Sequence, residues 1–208
     1  MLLFFTLLQL VPATALAWSS LVGPLFDTIH QAAIDHALPA LSEADRKVLK
    51  DQQKVIDTRQ STADSYQHAM MGMSGPPSGV EALRKRFRDL TDGCIHQSLV
   101  AAQQSERNGD HTGALQALGA AIHAMEDATS PTHDGFQPWR DDESIWEKAK
   151  HVAHERVYPD DSGPSSRKVR LEASVAYAYD LFIGRVAQPA TFFDTSFRLV
   201  IPQSYLSR

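Results

Sequence analysis

The sequence has few cysteines, a shortage of positive charge and no pattern for binding a nucleotide. Its single cysteine, Cys94, excludes an intramolecular disulfide and a zinc site built from cysteines. Because 20 Lys and Arg face 25 Asp and Glu, the net charge is −5, and stable binding of duplex nucleic acid is not expected. Glycine-rich phosphate loops and a Ser-His-Asp or nucleophile-elbow signature are also missing. These absences disfavour nucleotide-binding α/β folds and serine hydrolases.

Long hydrophobic runs are scarce as well, and the one apolar run lies at residues 2–11. It is too short to span a bilayer, which needs about 20 residues. Pro12 follows it, and Ala15-Leu16-Ala17 has the small-x-small pattern of a signal-peptide cleavage site. The sequence therefore predicts a signal peptide over residues 1–17 and a mature chain that begins at Trp18. We expect a secreted or periplasmic protein with one domain over residues 18–208.

Helical periodicity dominates the rest of the chain and predicts an all-α, multi-helix bundle. Helices are predicted over residues 25–38, from 42 into 49, over 80–107, from 110 to about 128, over 142–158 and over 167–183, with loops at 70–79 and 160–166. The tail from 191 has no clear assignment. The inward face of the 80–107 helix is predicted to carry Leu83, Phe87, Leu90, Cys94 or Ile95, Leu99 and Ala102. The next helix should bury Leu115, Leu118, Ile122 and Met125.

Nine histidines are many for 208 residues, and their spacing carries the chemistry. His123 and Asp127 stand four positions apart on a predicted helix, so their side chains project from one face. Pro131 ends that helix, and His133 follows directly after the turn. His151 and Glu155 repeat the four-residue spacing on the next predicted helix. Imidazole and carboxylate groups together suit zinc.

Two upstream histidines are further candidate ligands. His68 lies just before the loop at 70–79. His30 lies on the apolar side of the first predicted helix, where a buried structural histidine is the alternative interpretation. The remaining histidines are interpreted as surface or structural residues: His36, His96, His111 and His154.

The spacing His-x3-Asp-x5-His, followed by His-x3-Glu, resembles that of the zinc-dependent phospholipase C and fungal single-strand nuclease superfamily. In that superfamily the mature chain begins with Trp, whose amine and carbonyl chelate zinc together with a histidine of the first helix. The predicted cleavage exposes Trp18, and His30 follows it. The superfamily also has a Leu-Gly pair before the first histidine of the central motif, as at Leu118-Gly119 here.

The resemblance implies an all-α metalloenzyme with three zinc ions. The first ion would be held by Asp57, His68, His123 and Asp127, the second by His133, His151 and Glu155, and the third by Trp18 and His30 with Asp127 bridging. Asp64 is the alternative to Asp57. The segment between His133 and His151 is longer than in the superfamily, and its Trp139 and Trp146 are candidates to line a substrate cleft.

The resemblance further implies hydrolysis of a phosphodiester by a metal-activated water. Zinc ions neutralise the phosphate oxygens and acidify the water, and Asp57 is the candidate to orient or deprotonate it. The motif that ends in Glu155 resembles the phospholipase branch, so the expected substrate is a phospholipid, with transient contact to a membrane surface. Two alternatives stay open: a single-strand nuclease of the same superfamily, and a non-catalytic helical binding module stabilised by zinc.

Overall fold

A computed structural model describes residues 29–59, 61–72, 79–139, 159 and 166–207. These residues are mostly helical, which confirms the all-α prediction. The helices are α1 (Ile29–Ala37), α2 (Glu43–Asp57), α3 (Val80–Arg107), α4 (His111–Asp127), α5 (Arg167–Phe182) and α6 (Gln203–Leu206), with a 3₁₀ turn at Ser65–His68. The strands are β1 (Met71–Gly72) and β2 (Pro138–Trp139).

Side chains cap three helices where the sequence predicts their starts. The Ser42 hydroxyl accepts a hydrogen bond from the Asp45 amide at the start of α2. Asp110 caps α4 in the same way, and Ser166 caps α5. Each cap pairs an amide that has no partner within its own helix. Local sequence therefore determines where these helices begin.

One hydrophobic core joins the described helices, and α4 lies at its centre. The predicted inward residues of α4, including Leu118 and Ile122, are completely buried. On α3 the prediction is confirmed at Ile95, and Cys94 is only partly buried. The prediction is wrong at Leu90, which is 42% exposed. Thr91 is buried instead, because its hydroxyl donates to the Tyr66 carbonyl of the 3₁₀ turn, 3.0 Å away.

A parallel pair of short strands ties together two segments that carry predicted ligands. Met71 of β1 pairs with Pro138 of β2, and Gly72 pairs with Trp139. The loop predicted from residue 70 therefore begins with a strand. Gly72 is required there, because an added Cβ would lie 2.2 Å from the Thr62 carbonyl oxygen. The pairing sets the His68 turn against the turn that holds His133.

Several predictions fall outside the described residues. These are the signal peptide over 1–17, the helix over 142–158, residues 160–165 of the predicted loop, Trp18, Trp146, His151, His154 and Glu155. The unassigned tail contains an antiparallel bridge between Phe193 and Leu199, followed by α6. Among the described helices, none combines the length and the apolar character needed to cross a membrane.

Candidate metal centre

Three ligand atoms from distant parts of the chain form a nearly equilateral triangle in the core. Nε2 of His123 lies 3.0 Å from Nδ1 of His68 and 3.2 Å from Oδ2 of Asp127. The third side, from His68 Nδ1 to Asp127 Oδ2, measures 3.1 Å. All three side chains are almost completely buried. The four-residue spacing on α4 supplies two of the corners, and the 3₁₀ turn supplies the third.

Hydrogen bonds fix which nitrogen of His123 carries the proton. The Gln53 amide nitrogen donates to the Gly119 carbonyl, 3.2 Å away, because that carbonyl can only accept. The amide oxygen of Gln53 is thereby turned toward His123 Nδ1, which donates to it. Nε2 of a neutral His123 then carries the lone pair, and it faces the triangle.

His68 is oriented by the same logic. Its Nε2 donates to the Arg59 carbonyl, 3.0 Å away, so the lone pair of the neutral ring lies on Nδ1. Two nitrogen lone pairs and a carboxylate oxygen of Asp127 then point at one another from about hydrogen-bond distance. Such acceptors repel each other unless a proton or a metal cation lies between them. The arrangement calls for a cation.

The spacing of the triangle fits zinc. Tetrahedral zinc with bonds of about 2.0–2.1 Å places its ligand atoms about 3.3 Å apart. The three measured edges lie close to that value. Asp57 forms a candidate ligand group with His68 and His123, and its Oδ1 lies 3.7 Å from His123 Nε2.

A second group of candidate ligands shares Asp127. Its Oδ1 lies 3.2 Å from His30 Nε2, but the two atoms are not aligned as a hydrogen bond, and none of the described residues bonds this oxygen. On the other side of the ring, His30 Nδ1 lies 3.1 Å from Oε2 of Glu126. His123 belongs to both candidate ligand groups, but only one of its nitrogens faces the cluster, so it can ligate only one of two ions. Asp127 faces His30 with Oδ1 and His68 with Oδ2, so its two oxygens could bridge both ions.

The pKa values of the buried histidines are shifted in opposite directions. Burial lowers the pKa of His30, but the charges of Asp127 and Glu126 outweigh burial and raise this pKa well above its ordinary value. Burial also lowers the pKa of His68, but the hydrogen bond to Asp127 and the charges of Asp127 and Asp57 together outweigh burial and raise this pKa. For His123 burial prevails, and its pKa is lowered. Without a metal, protons on His30 and His68 would supply the missing positive charge.

The pKa values of the two neighbouring carboxylates of α4, Glu126 and Asp127, are also shifted in opposite directions. Burial raises the pKa of Glu126 to about 7, and His30 offsets only part of this effect. Burial also acts on Asp127, but the histidines around it, His123 first, hold its pKa well below the ordinary value. Asp127 is therefore the permanent anion of the cluster, whereas burial opposes the ionisation of Glu126.

Tight backbone geometry brings these side chains together. An added Cβ on Gly119 would lie 2.9 Å from Cβ of Gln52, so the glycine permits the close approach of α2 and α4 that Gln53 spans. Ala69, directly after His68, has a φ of 49° and is fully buried. That left-handed residue ends the 3₁₀ turn and directs the chain from His68 into β1.

The structure brings together six of the predicted ligands: His30, Asp57, His68, His123, Asp127 and His133. Nδ1 of His133 donates to the His68 carbonyl oxygen and lies 3.9 Å from Oδ2 of Asp127. Of the two upstream carboxylates, Asp57 lies in the cluster, whereas Asp64 bonds to Ser61 at the edge of the 3₁₀ turn. Trp18, His151 and Glu155 are outside the described residues.

Three further outcomes concern residues on which the sequence left a choice or gave no signal. Trp139, a candidate cleft residue, is buried and packs against Met70. Gln53 and Glu126 are buried partners of His123 and His30 that sequence reasoning missed. Glu126 had one usable signal, because it precedes Asp127 at the end of a mostly apolar helix. Gln53 had none, since its partner is 70 positions away.

No protein family model, curated protein or solved structure matches this chain. The fold and the site together define a helical protein with buried His and Asp groups able to bind a metal ion.

Proposed function

We propose that the chain is an exported, zinc-dependent phosphodiesterase, similar to the phospholipase C branch of the zinc-dependent phospholipase C and single-strand nuclease superfamily. The observation that carries the proposal is the triangle of His68, His123 and Asp127, whose edges suit zinc and whose lone pairs converge. Its support in the sequence is the spacing of the central motif. The predicted ligands Trp18, His151 and Glu155 belong to the proposal through the sequence alone.

Zinc bound there would neutralise the phosphate oxygens and bring the pKa of a water close to neutrality. The chain's own groups have separate tasks. His68 and His123 present fixed lone pairs, and Asp127 supplies a permanent negative charge to both ligand groups. Asp57, whose Oδ1 lies 3.7 Å from His123 Nε2, is the candidate to orient the attacking water and accept its proton.

A zinc-stabilised module without catalysis is the second candidate, and burial favours it. The side chains of the triangle and of Asp57 are all at most 5% exposed. A structural zinc site is closed by protein ligands, whereas a catalytic site keeps a position for water or substrate. Spectroscopy of the cobalt-loaded protein separates the two candidates, because exchangeable solvent or phosphate as a ligand changes the cobalt absorption.

Three measurements on the expressed protein test the proposal. Metal analysis after expression should find zinc, and sequencing of the exported protein should find Trp18 at its N-terminus. Hydrolysis is then assayed on phosphatidylcholine vesicles and on single-stranded DNA, each with and without a chelator. Chelator-sensitive release of a phosphorylated head group supports the proposal, whereas cleavage of DNA alone favours the nuclease. Bound zinc without either activity would leave only the structural module.

A further inference from the structure

Glu126 is a buried carboxylate that the predicted ligand set does not include. It is 1% exposed, and its Oε2 lies 3.1 Å from Nδ1 of His30. Its other oxygen, Oε1, is buried and makes no hydrogen bond with any described residue. A buried carboxylate is costly unless it is paired, so a specific role is expected for it.

His30 lies between two carboxylates that face opposite nitrogens of its ring. Nδ1 faces Glu126, and Nε2 faces Oδ1 of Asp127 at 3.2 Å without the alignment of a hydrogen bond. A histidine can ligate a metal through Nε2 only when the proton of the neutral ring is on Nδ1. Glu126 is the acceptor that holds this proton in place.

We propose that Glu126 is a positioning residue that fixes His30 with Nε2 toward Asp127 and thereby determines the affinity of one metal position, the one at His30. The inference rests on the proposed metal site. It assigns Glu126 no contact with the metal, since Glu126 touches the opposite nitrogen of the ring.

His30, His68 and His123 differ in the group that accepts a hydrogen bond from the ring nitrogen facing away from the metal. His68 donates to a backbone carbonyl and His123 to an amide oxygen, and both acceptors are neutral. Only His30 has a carboxylate as this partner among the three. A charged acceptor makes a hydrogen bond about twice as strong and makes the imidazole a better ligand. The two metal positions should therefore differ, and only the one at His30 should depend on Glu126.

The test titrates the chelator-stripped exported protein, whose N-terminus is expected at Trp18, with Co²⁺, followed by absorption, and with Zn²⁺ in competition with a chromophoric chelator. The variant Glu126→Gln keeps the size and an acceptor oxygen but removes the charge. We expect one binding step to weaken about 10-fold to 100-fold, the range known for second partners of ligating histidines, while the other step is unchanged. Glu172→Gln is the matched control, because Glu172 pairs with Nδ1 of the exposed His36 at 3.2 Å. It should change neither step.

A double variant shows whether Glu126 acts through His30. His30→Ala alone should remove the same step that Glu126→Gln weakens, and adding Glu126→Gln to it should change nothing further. A further loss in the His30→Ala background, an equal weakening of both steps, or no weakening at all would overturn the inference. Glu126→Gln is used rather than Glu126→Ala, because the isosteric variant can decide the question even if the truncated one fails to fold.

The outcomes also separate this inference from the proposed function. A wild-type chain that binds neither Co²⁺ nor Zn²⁺ overturns both. A wild-type chain that binds zinc and hydrolyses phosphodiesters, together with a Glu126→Gln variant of unchanged affinity, overturns the role of Glu126 alone. Binding that depends on Glu126 in a chain without hydrolysis supports the positioning role and rejects the enzyme.

Discussion

Two histidine–aspartate pairs in this molecule have the same spacing and the same length but different surroundings. His123 and Asp127 on α4 are four residues apart, with 3.2 Å between nitrogen and oxygen. Asp92 and His96 on α3 have the same separation and the same distance. The α4 pair is buried, whereas His96 keeps 29% of its side chain exposed. Helical spacing alone therefore does not identify a metal site.

The difference lies in the third partners. Asp92 accepts hydrogen bonds from the Thr191 hydroxyl and the Phe192 amide, so donors satisfy its charge. Asp127 faces histidines, and the lone pairs of His68 and His123 compete for the same point. Several ring nitrogens converge on one carboxylate there, so a proton or a metal cation is needed among them, and this distinguishes the cluster from a surface ion pair.

Replacing the shared carboxylate should have the largest effect. Asp127→Asn removes the carboxylate whose two oxygens face His30 and His68, so the variant should retain almost no zinc after dialysis. Zinc at a thousandfold excess over its Kd would stabilise the wild type by about 4 kcal/mol, and this gain should disappear. Metal analysis and thermal unfolding with and without zinc measure both effects. Asp92→Asn should behave like the wild type, and an Asp127→Asn variant with normal zinc content would rule out the site.

The upstream carboxylates give the next contrast. Asp57→Asn should abolish phosphodiester hydrolysis while most of the zinc stays bound, because His68, His123 and Asp127 remain in place. Asp64→Asn should leave both properties unchanged, since Asp64 bonds to Ser61 and Gln67 outside the cluster. Turnover and zinc content are measured on the same preparations. Full activity in Asp57→Asn would remove Asp57 from the mechanism.

Local signals in the sequence predicted the helices and half of the site. Short stretches of sequence determine the caps at Ser42 and Asp110 and the apolar face of α4. The structure confirmed these predictions. The pair of His123 and Asp127 follows from helical geometry in the same way. The prediction that Leu90 faces inward was wrong, because helical periodicity does not report that the Thr91 hydroxyl donates to a carbonyl on the 3₁₀ turn.

The convergence of the site depends on contacts that no local pattern contains. His68 meets Asp127 across 59 positions, and Gln53 meets His123 across 70. Gln53 reaches His123 only because Gly119 lets two helices approach closely. The identity of an orienting residue is therefore fixed by packing, which sequence spacing does not report.

Substitution of Gln53 tests whether this residue orients His123 for zinc or only contributes to packing. In Gln53→Ala, His123 Nδ1 loses its partner in the core, which should cost about 1–3 kcal/mol of unfolding free energy, whereas the Gly119 carbonyl keeps its helical hydrogen bond. Affinity for zinc should fall about 10-fold to 100-fold. Gln103→Ala is the control, since the Gln103 amide also donates to a backbone carbonyl on a neighbouring helix, that of Leu181. Gln103→Ala should reduce stability without changing zinc affinity. Equal zinc affinity in the two variants would reject the orienting role of Gln53.

The smallest effect expected concerns how the free energy of unfolding changes with pH. The metal-free chain should lose stability as the pH rises, whereas the stabilisation that zinc provides should grow. Burial raises the pKa of Glu126 from 4.5 in the unfolded chain to about 7, so folding favours the protonated form and stability is lost as the pH rises toward and through 7. The raised pKa of His30 acts in the same direction, because its stabilisation is complete below about 6.5 and is lost at higher pH. The lowered pKa of His123 opposes them only below that value. Glu126 alone should lower the stability of the metal-free chain by about 1.4 kcal/mol between pH 6 and 8.

Zinc must displace these protons, so the stabilisation that zinc provides should grow over the same pH interval. Urea unfolding at pH 6, 7 and 8, with chelator and with excess zinc, measures both trends. Glu126→Gln should flatten the metal-free trend, because the amide does not titrate. The exposed His111, whose pKa is raised by its hydrogen bond to Glu106, provides the surface comparison, and His111→Ala should leave the trend nearly unchanged. A metal-free chain that becomes more stable from pH 6 to 8 would mean that the cluster holds no protons in place of a cation, which contradicts the convergence of acceptors at its centre.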